Sequence, residues 1–162
     1  MSQITCTGRI GRSLLLAAVV LSASLVASAA SAGECPADQK KPNAREAVDF
    51  KPVGVTDTVI ASIDVAKAPF DIKDRLFRMR KLTVEPEGIV PWHSHGDRPA
   101  IIYIVEGEIH EFASNCAAPI VHKAGDVVAE TSEVSHWWKN LGDKTAVLIS
   151  ADLLKDANDH NM

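Results

Sequence analysis

The sequence has no excess of basic residues, and beyond its N-terminus it has no long hydrophobic run. Its 162 residues include 17 lysines and arginines against 21 aspartates and glutamates, so the formal net charge is −4. A protein that binds nucleic acid needs a basic face to neutralise phosphates, and this balance therefore argues against a nucleic-acid partner. Helical periodicity is weak throughout and no internal repeat is visible, so the patterns that remain are those of β-strands.

The single hydrophobic run has the pattern of a secretory signal peptide. Arg9 and Arg12 precede an apolar stretch over Leu14–Val26, and the small residues Ala30–Ala32 provide a cleavage site. The apolar stretch is too short, and too rich in alanine and serine, for a membrane span of about 20 residues. We therefore expect residues 1–32 to be removed, leaving a periplasmic or secreted protein that begins at Gly33 and has no membrane partner.

Cysteine is scarce, with three in the whole chain. Cys6 lies in the expected signal peptide, so Cys35 and Cys116 would remain in the mature protein. An even pair of cysteines in an oxidising compartment favours a disulfide, and we expect these two to be bonded. Two unpaired thiols are the alternative.

The mature chain, about 130 residues long, is sufficient for one domain with a single core. Residues 33–57 are polar and interrupted by Pro36, Pro42 and Pro52, which indicates an N-terminal arm. Residues 58–155 contain short strand-like stretches joined by Gly, Pro and Asp turns, which is typical of an all-β sandwich or barrel. Residues 156–162 form a polar tail. The strand candidates are 58–65, 76–84, 101–106, 108–112, 120–122, 126–130 and 145–153.

Two arginines fall inside the second strand candidate. Arg78 and Arg80 share one face with Leu82 and Val84, because side chains alternate along a strand. We expect the arginines to lie on a solvated face. The alternative is that at least one of them points into the barrel.

Three histidines are the strongest candidates for chemistry. His93 and His95 are separated by one residue, so in an extended segment both side chains project to the same face, and His136 follows about forty residues later. Neutral imidazoles suit zinc, copper, iron and nickel. Three protein ligands also leave coordination positions open, as in catalytic rather than structural metal sites. The other histidines lack spacing to this trio and are expected to be exposed: His110, His122 and His160.

The spacing of these histidines and of nearby glycines resembles the cupin superfamily. The first cupin motif is a glycine, a short spacer, His-x-His, three or four residues, Glu, six residues and Gly. The second is Gly, five residues, Pro, x, Gly, two residues, His, three residues and Asn. The first motif is matched by Gly88, His93, His95 and Gly107, and the second by Gly125, His136 and Asn140, with Thr131 and Glu133 in place of Pro and Gly. The resemblance covers residues 76–153.

The resemblance implies an all-β fold, the cupin double-stranded β-helix or jelly-roll barrel. Counting back from Gly107 places Ala100 where the cupin glutamate ligand belongs, and alanine cannot bind a metal. The resemblance therefore implies either a three-histidine cupin, similar in its ligands to the thiol and diketone dioxygenase branches, or a cupin that has lost strong metal affinity. The site would hold a divalent transition metal. Iron is expected if the protein is catalytic, with zinc, nickel, copper and manganese as alternatives.

Two functional hypotheses follow for a small-molecule pocket of this kind. In the first, the protein is an iron-dependent dioxygenase in which Arg98 steers an anionic substrate and Trp138, on the strand face of His136, shapes the pocket. In the second, it is a binding module that holds a small ligand without turnover. Arg98 has an alternative role, since it could simply pair with a nearby acidic residue on the surface.

The strand candidate 101–106 also suggests an interface. Ile102 and Ile104 share the parity of Ala100 and should point inward, which leaves Ile101, Tyr103 and Val105 on the outside. A small monomer rarely leaves such an apolar stripe exposed. Either the segment 53–65 covers it, or a second copy does so in a homodimer, and we favour the homodimer.

Overall fold

The computed structural model describes residues 33–48, 51–69 and 72–155. The expected signal peptide, residues 1–32, and the expected tail, residues 156–162, lie outside the described residues. Among those described, no helical segment is long and apolar enough to span a membrane.

Eight antiparallel strands make up almost all of the regular structure in the described ranges. They are β1 (Val53–Asp64), β2 (Leu76–Ser94), β3 (Ala100–Glu106), β4 (Glu108–Ala113), β5 (Ile120–Lys123), β6 (Val127–Glu130), β7 (Ser135–Lys139) and β8 (Ala146–Leu154). Two short 3-10 turns, Ala37–Gln39 and Val65–Lys67, accompany them. Neighbouring strands follow the order β5-β4-β7-β2-β8-β3-β6, and β1 pairs with β2. The predicted all-β, jelly-roll cupin barrel is confirmed.

The strand candidates for β3, β4, β5, β6 and β8 agree with the observed strands to within one residue at each end. Three predictions were less accurate. β1 starts five residues earlier than expected, at Val53, and β2 continues ten residues further, to Ser94. β7 was not among the candidates, because its five residues, Ser135–Lys139, carry no apolar alternation beyond the two tryptophans.

β2 is long because it serves two parts of the barrel. Its first half, up to Val84, pairs with β8, whereas its second half, from Ile89 onward, pairs with β7. Gly88 lies at the change of partner, where a Cβ atom would come within 2.7 Å of the carbonyl oxygen of Glu85. Only glycine fits so close an approach of two backbone segments.

Asn140 of the second motif holds the same bend from the other side. Its amide nitrogen donates to the carbonyl oxygens of Val84 at 2.9 Å and Lys144 at 2.8 Å. Its backbone N–H donates to Gly88 at 3.0 Å. The side chain is fully buried, so these bonds replace the water it loses. Gly88 and Asn140 thus have structural roles that keep β2 and β7 in register.

The apolar core fills the barrel between the strands that carry the histidines and the strands opposite. Its buried members are Leu82, Val84, Val90, Ile102, Ile104, Ile109, Trp138, Ala146 and Leu148. The inward positions of β3 are those expected from strand alternation. Ile101 and Tyr103, on the outside, are 57% and 45% exposed.

The segment 53–65 does not cover this outer stripe. β1 pairs with one edge of β2, and β8 separates β2 from β3. β1 is therefore not a neighbour of β3, the strand that carries Ile101 and Tyr103. Of the two covers expected for the stripe, the arm is therefore excluded.

The predicted disulfide between Cys35 and Cys116 is present, and Cys116 is fully buried. Arg45 strengthens the attachment, since its guanidinium donates to the carbonyl oxygens of Cys116 at 3.1 Å and Ala117 at 2.9 Å. Lys40 forms a β-bridge with Cys116. The N-terminal arm is thus fixed to the loop that precedes β5.

Removal of this disulfide should lower stability considerably. It closes a loop with a sequence separation of 81 residues, for which the chain-entropy model gives about 4–5 kcal/mol. We expect the double variant Cys35→Ala/Cys116→Ala to lose free energy of unfolding of that order in urea denaturation. An unchanged transition midpoint would show that the arm does not stabilise the barrel.

Candidate metal centre

Two adjacent strands bring the three histidines together. His93 near the end of β2 and His136 on β7 are directly opposite each other in the strand register. His95 follows in the turn after β2. The ring centroid of His93 lies 5.1 Å from that of His95 and 4.6 Å from that of His136. The trio predicted from the sequence is therefore one cluster, whose ligand atoms lie within 4.8 Å of one another.

Hydrogen bonds to the Nδ1 atoms orient all three rings in the same way. Nδ1 of His93 contacts the carbonyl oxygen of Pro91 at 2.8 Å, and Nδ1 of His95 contacts that of Arg98 at 3.1 Å. Nδ1 of His136 contacts the carboxylate of Glu111 at 2.7 Å. An imidazole that donates from Nδ1 presents the lone pair of Nε2, which is the usual arrangement of histidine metal ligands.

The Nε2 atoms converge on one point. Nε2 of His93 and Nε2 of His136 are 3.2 Å apart, and Nε2 of His95 is buried without a hydrogen-bond partner among the described residues. Burial, followed by the charge of His136, lowers the pKa of His93 to about 2, and the same causes lower the pKa of His95 to about 4. Both imidazoles are neutral at physiological pH, as metal binding requires.

His136 is held by the carboxylate of Glu111, which was not predicted from the sequence. Glu111 lies on β4 and is buried, with one oxygen on His136 and the other 2.9 Å from Nε2 of His122. Burial alone would raise the pKa of Glu111, but the hydrogen bonds with His122 and His136 lower it to about 2. Strand alternation could have indicated that Glu111 is buried, because Glu111 shares the inward face of β4 with the apolar residues Ile109 and Ala113.

The prediction that His122 is exposed is wrong. His122 is fully buried, stacked on Trp138 with ring centroids 4.7 Å apart, because the inward-facing Glu111 needs a hydrogen-bond donor. His110 is half-buried rather than exposed. His160 lies outside the described residues.

Ala100 is buried on β3, and its neighbour across the strand pair is Glu130 of β6. The Glu130 carboxylate reaches the Nδ1 side of His136, at 3.5 Å. Burial raises its pKa to about 7, despite the attraction of His136. The Glu130 carboxylate is therefore next to Ala100, the position of the usual cupin glutamate ligand. It contacts Nδ1 of His136, however, and not the Nε2 atoms of the histidine cluster.

The expectation that Arg78 and Arg80 are solvated is wrong. Arg98 pairs with an acidic residue, as its alternative role proposed, but in the barrel interior instead of on the surface. All three are buried around the carboxylate of Asp152 on β8. Arg78 binds it through two nitrogens at 3.0 and 2.7 Å, and Arg98 through Nη1 at 2.9 Å. Arg80 contacts Asp152 at 3.4 Å and also pairs with Asp57. Buried guanidinium groups require such partners.

The histidines separate two cavities. The inner one, about 20 Å³, has room for about one water molecule and lies in the barrel behind His93 and His95. Its apolar wall consists of Trp138, Leu82, Val90, Ile102 and Leu148. The outer cleft, about 330 Å³, lies at the barrel mouth and is lined by Trp92, His93, Ser94, His95, Gly96, Asp97, Arg98 and Ser135.

Three residues around the inner cavity carry a buried polar atom that lacks a hydrogen-bond partner among the described residues. These atoms are Nε of Arg80, Oγ of Ser150 and Nε2 of His95. Arg80 and Ser150 are direct partners across the β2–β8 pair. The cavity wall is thus mainly apolar, and three unsatisfied polar atoms belong to the residues around it.

The fold and the histidine cluster define a jelly-roll barrel with a site that could hold a metal ion. A family model described as a cupin domain matches residues 80–152. Residues 80–152 thus form a cupin domain. No curated protein matches the chain in a sequence search.

Solved structures with similar folds include cupins of different roles. The cupin domain of Schizosaccharomyces pombe Cnp3 is 13% identical, with 66% of this chain and 69% of that chain aligned and a TM-score of 0.49. A cupin 2 conserved barrel domain protein from Salinispora arenicola is 17% identical over 69% and 92%, with a TM-score of 0.47. An oxalate oxidase in complex with the substrate analogue glycolate is 21% identical over 72% and 57%, with a TM-score of 0.50. At this identity the likeness shows the fold alone.

Asp152→Asn should destabilise the protein strongly, because it leaves buried guanidinium groups without their shared counter-charge. Breaking such a buried pair costs about 3–5 kcal/mol. We expect a loss of that order in the free energy of unfolding at pH 7, measured by urea denaturation. Asp57→Asn is the matched control, since Asp57 is more exposed and pairs with Arg80 alone.

The same variant should change the dependence of stability on pH. Burial raises the pKa of Asp152, but the surrounding arginines outweigh it and lower the pKa below its ordinary value. The ionised Asp152 therefore stabilises the folded protein fully above its pKa in the unfolded chain, about 3.9. This stabilisation is lost as the pH falls towards the lower pKa of Asp152 in the folded protein. The difference in the free energy of unfolding between wild type and Asp152→Asn should decrease below about pH 4. A difference that is constant down to pH 2 would contradict this account.

Proposed function

We propose that the protein is a periplasmic or secreted metal-dependent cupin oxygenase that uses His93, His95 and His136 to hold one iron ion. The observation that carries the proposal is the convergence of three Nε2 atoms, on rings that are each oriented by a hydrogen bond at Nδ1. The Cys35–Cys116 disulfide supports an oxidising compartment.

The donor set is compatible with iron and unfavourable for manganese. Imidazole ligands suit iron, zinc, copper and nickel, whereas manganese prefers carboxylates, and Ala100 offers none. Iron is the metal among these that the proposed oxygenase reaction requires. His93, His95 and His136 would hold a ferrous ion through three ligands, and such an ion would supply open positions for oxygen and substrate. The chain contributes the orientation of the rings and an apolar wall that excludes water.

Substrate recognition is assigned to Arg80 and Ser150 rather than to Arg98. Arg98 lines the outer cleft, but its guanidinium holds Asp152. Nε of Arg80 and the hydroxyl of Ser150 instead lack a hydrogen-bond partner among the described residues, and both residues line the inner cavity together with His95. Donors on two residues beside a metal position favour one oxygen of a small carboxylate group, with Trp138 against it and the rest of the substrate in the outer cleft.

The alternative function is a binding module that holds a small ligand on the metal without turnover. It is favoured by the small size of the inner cavity, about 20 Å³, which is sufficient for one polar group but for little else. Both functions use the same residues, and oxygen consumption distinguishes them.

Iron-loaded mature protein is expected to consume oxygen when supplied with short carboxylate-bearing thiols or diketones. His95→Ala should bind one equivalent of metal fewer than wild type and should consume no oxygen. Ser150→Ala should keep its metal but raise KM about tenfold, the value of one hydrogen bond to a charged group. His110→Ala, on the same barrel but outside the cluster, is the matched control. Saturable carboxylate binding without oxygen uptake would establish the binding module instead.

We also propose that the exposed stripe of Ile101, Tyr103 and Val105 is a homodimer interface. The described part of the chain leaves all three exposed, and Val127 on the neighbouring strand β6 extends the apolar surface. Contiguous apolar surface of this kind marks an interaction site.

The mature protein should therefore sediment as a dimer at micromolar concentration, and Tyr103→Glu should shift it to the monomer because it places a charge in the apolar interface. Val59→Glu, an equally exposed position on β1, serves as the control. A wild-type protein that sediments as a monomer over this range would refute the interface.

A further inference from the structure

A second group of potential ligands lies on the opposite edge of the His136 ring. Nδ1 of His136 is 2.7 Å from Oε1 of Glu111 and 3.5 Å from Oε2 of Glu130. The ligand atoms of these three residues lie within 4.8 Å of one another, and all three residues are buried. This cluster shares one imidazole with the three-histidine site but faces away from its Nε2 atoms.

Glu130 is the least satisfied member of the cluster. Its residue is 4% exposed, and its Oε1 is buried without a hydrogen-bond donor among the described residues. Glu111, by contrast, has both oxygens engaged, one by His136 and one by His122. A buried carboxylate oxygen without a partner is costly, and a cation would remove that cost.

A cleft gives access to the two carboxylates from outside the barrel. It measures about 200 Å³ and is bordered by the N-terminal arm at Gly33 and Cys35, by β6 at Val128 and by both Glu111 and Glu130. It is separate from the outer cleft of the three-histidine site, which is lined by other residues. An ion can therefore reach Glu130 without passing the Nε2 atoms.

We propose that Glu111, Glu130 and Nδ1 of His136 form a second metal site for a divalent ion such as Zn²⁺. Carboxylate oxygens and an imidazole nitrogen are common zinc ligands, and three of them leave a fourth position open towards the cleft. His122 holds the second oxygen of Glu111 and so orients that ligand. Binding displaces the Nδ1 proton of His136 to solvent, and the imidazole then connects the two sites.

The competing explanation is that the carboxylates only orient His136 and that the cleft stays free of metal. The two explanations differ in what remains after the three-histidine site is removed. His93→Ala eliminates a ligand of that site but none of the second, and Glu130→Gln does the reverse with an isosteric, uncharged side chain. Zinc binding at each site can therefore be removed and measured independently of the other site.

The experiment is a titration of metal-free mature protein with Zn²⁺, followed by calorimetry and by metal analysis after dialysis. We expect His93→Ala and Glu130→Gln each to bind one equivalent and His93→Ala/Glu130→Gln to bind none. Glu108→Gln, at the half-buried first position of β4, is the matched control and should bind as wild type. If His93→Ala binds no zinc, or if the double variant retains it, the second site is overturned. If Glu130→Gln alone binds none, the three-histidine site fails instead.

A second measurement covers the case in which Glu130→Gln does not fold. Zinc X-ray absorption of the His93→Ala protein should show one imidazole with oxygen ligands at about 2.0–2.2 Å. Two or more imidazoles around the zinc would place the ion at the remnant of the three-histidine site and refute the proposal.

Discussion

The pairing of β2 with β7, which sets His93 directly opposite His136, is the constraint on which the site depends. That register exists because β2 changes partner at Gly88, where the backbone approaches too closely for any side chain. Asn140 closes the same bend with hydrogen bonds to Val84 and Lys144. A shift of one residue would turn His136 to the other face of its strand, and the imidazole cluster would be lost.

The barrel interior contains two polar groupings separated by its apolar core. On one side three arginines surround Asp152, and on the other Glu111 joins His122 to His136. Buried charges contribute little net stability, since desolvation offsets their attraction. Their effect here is positional: one network supports the strand that carries Ser150 into the inner cavity, and the other fixes the tautomer of His136.

The parts of the site that could be predicted are those set by local spacing. The one-residue spacing of His93 and His95 predicted that both imidazoles reach one site, and strand alternation placed Ile102 inward and Tyr103 outward. The parts that could not be predicted are charges that become buried only through a partner from a distant strand. Arg80 depends on Asp57 and Asp152, and their separation in the sequence carries no signal of that contact.

The sequence by itself determined the all-β class, the three imidazoles with their spacing, the absence of a glutamate at Ala100 and the cysteine pair. These follow from residue identity and strand periodicity, which are local properties. Only the tertiary structure decided that Glu130 stands beside Ala100 and that Arg80, rather than Arg98, faces the inner cavity. Strand pairing determines such neighbours, and it depends on how distant segments bury their apolar faces together.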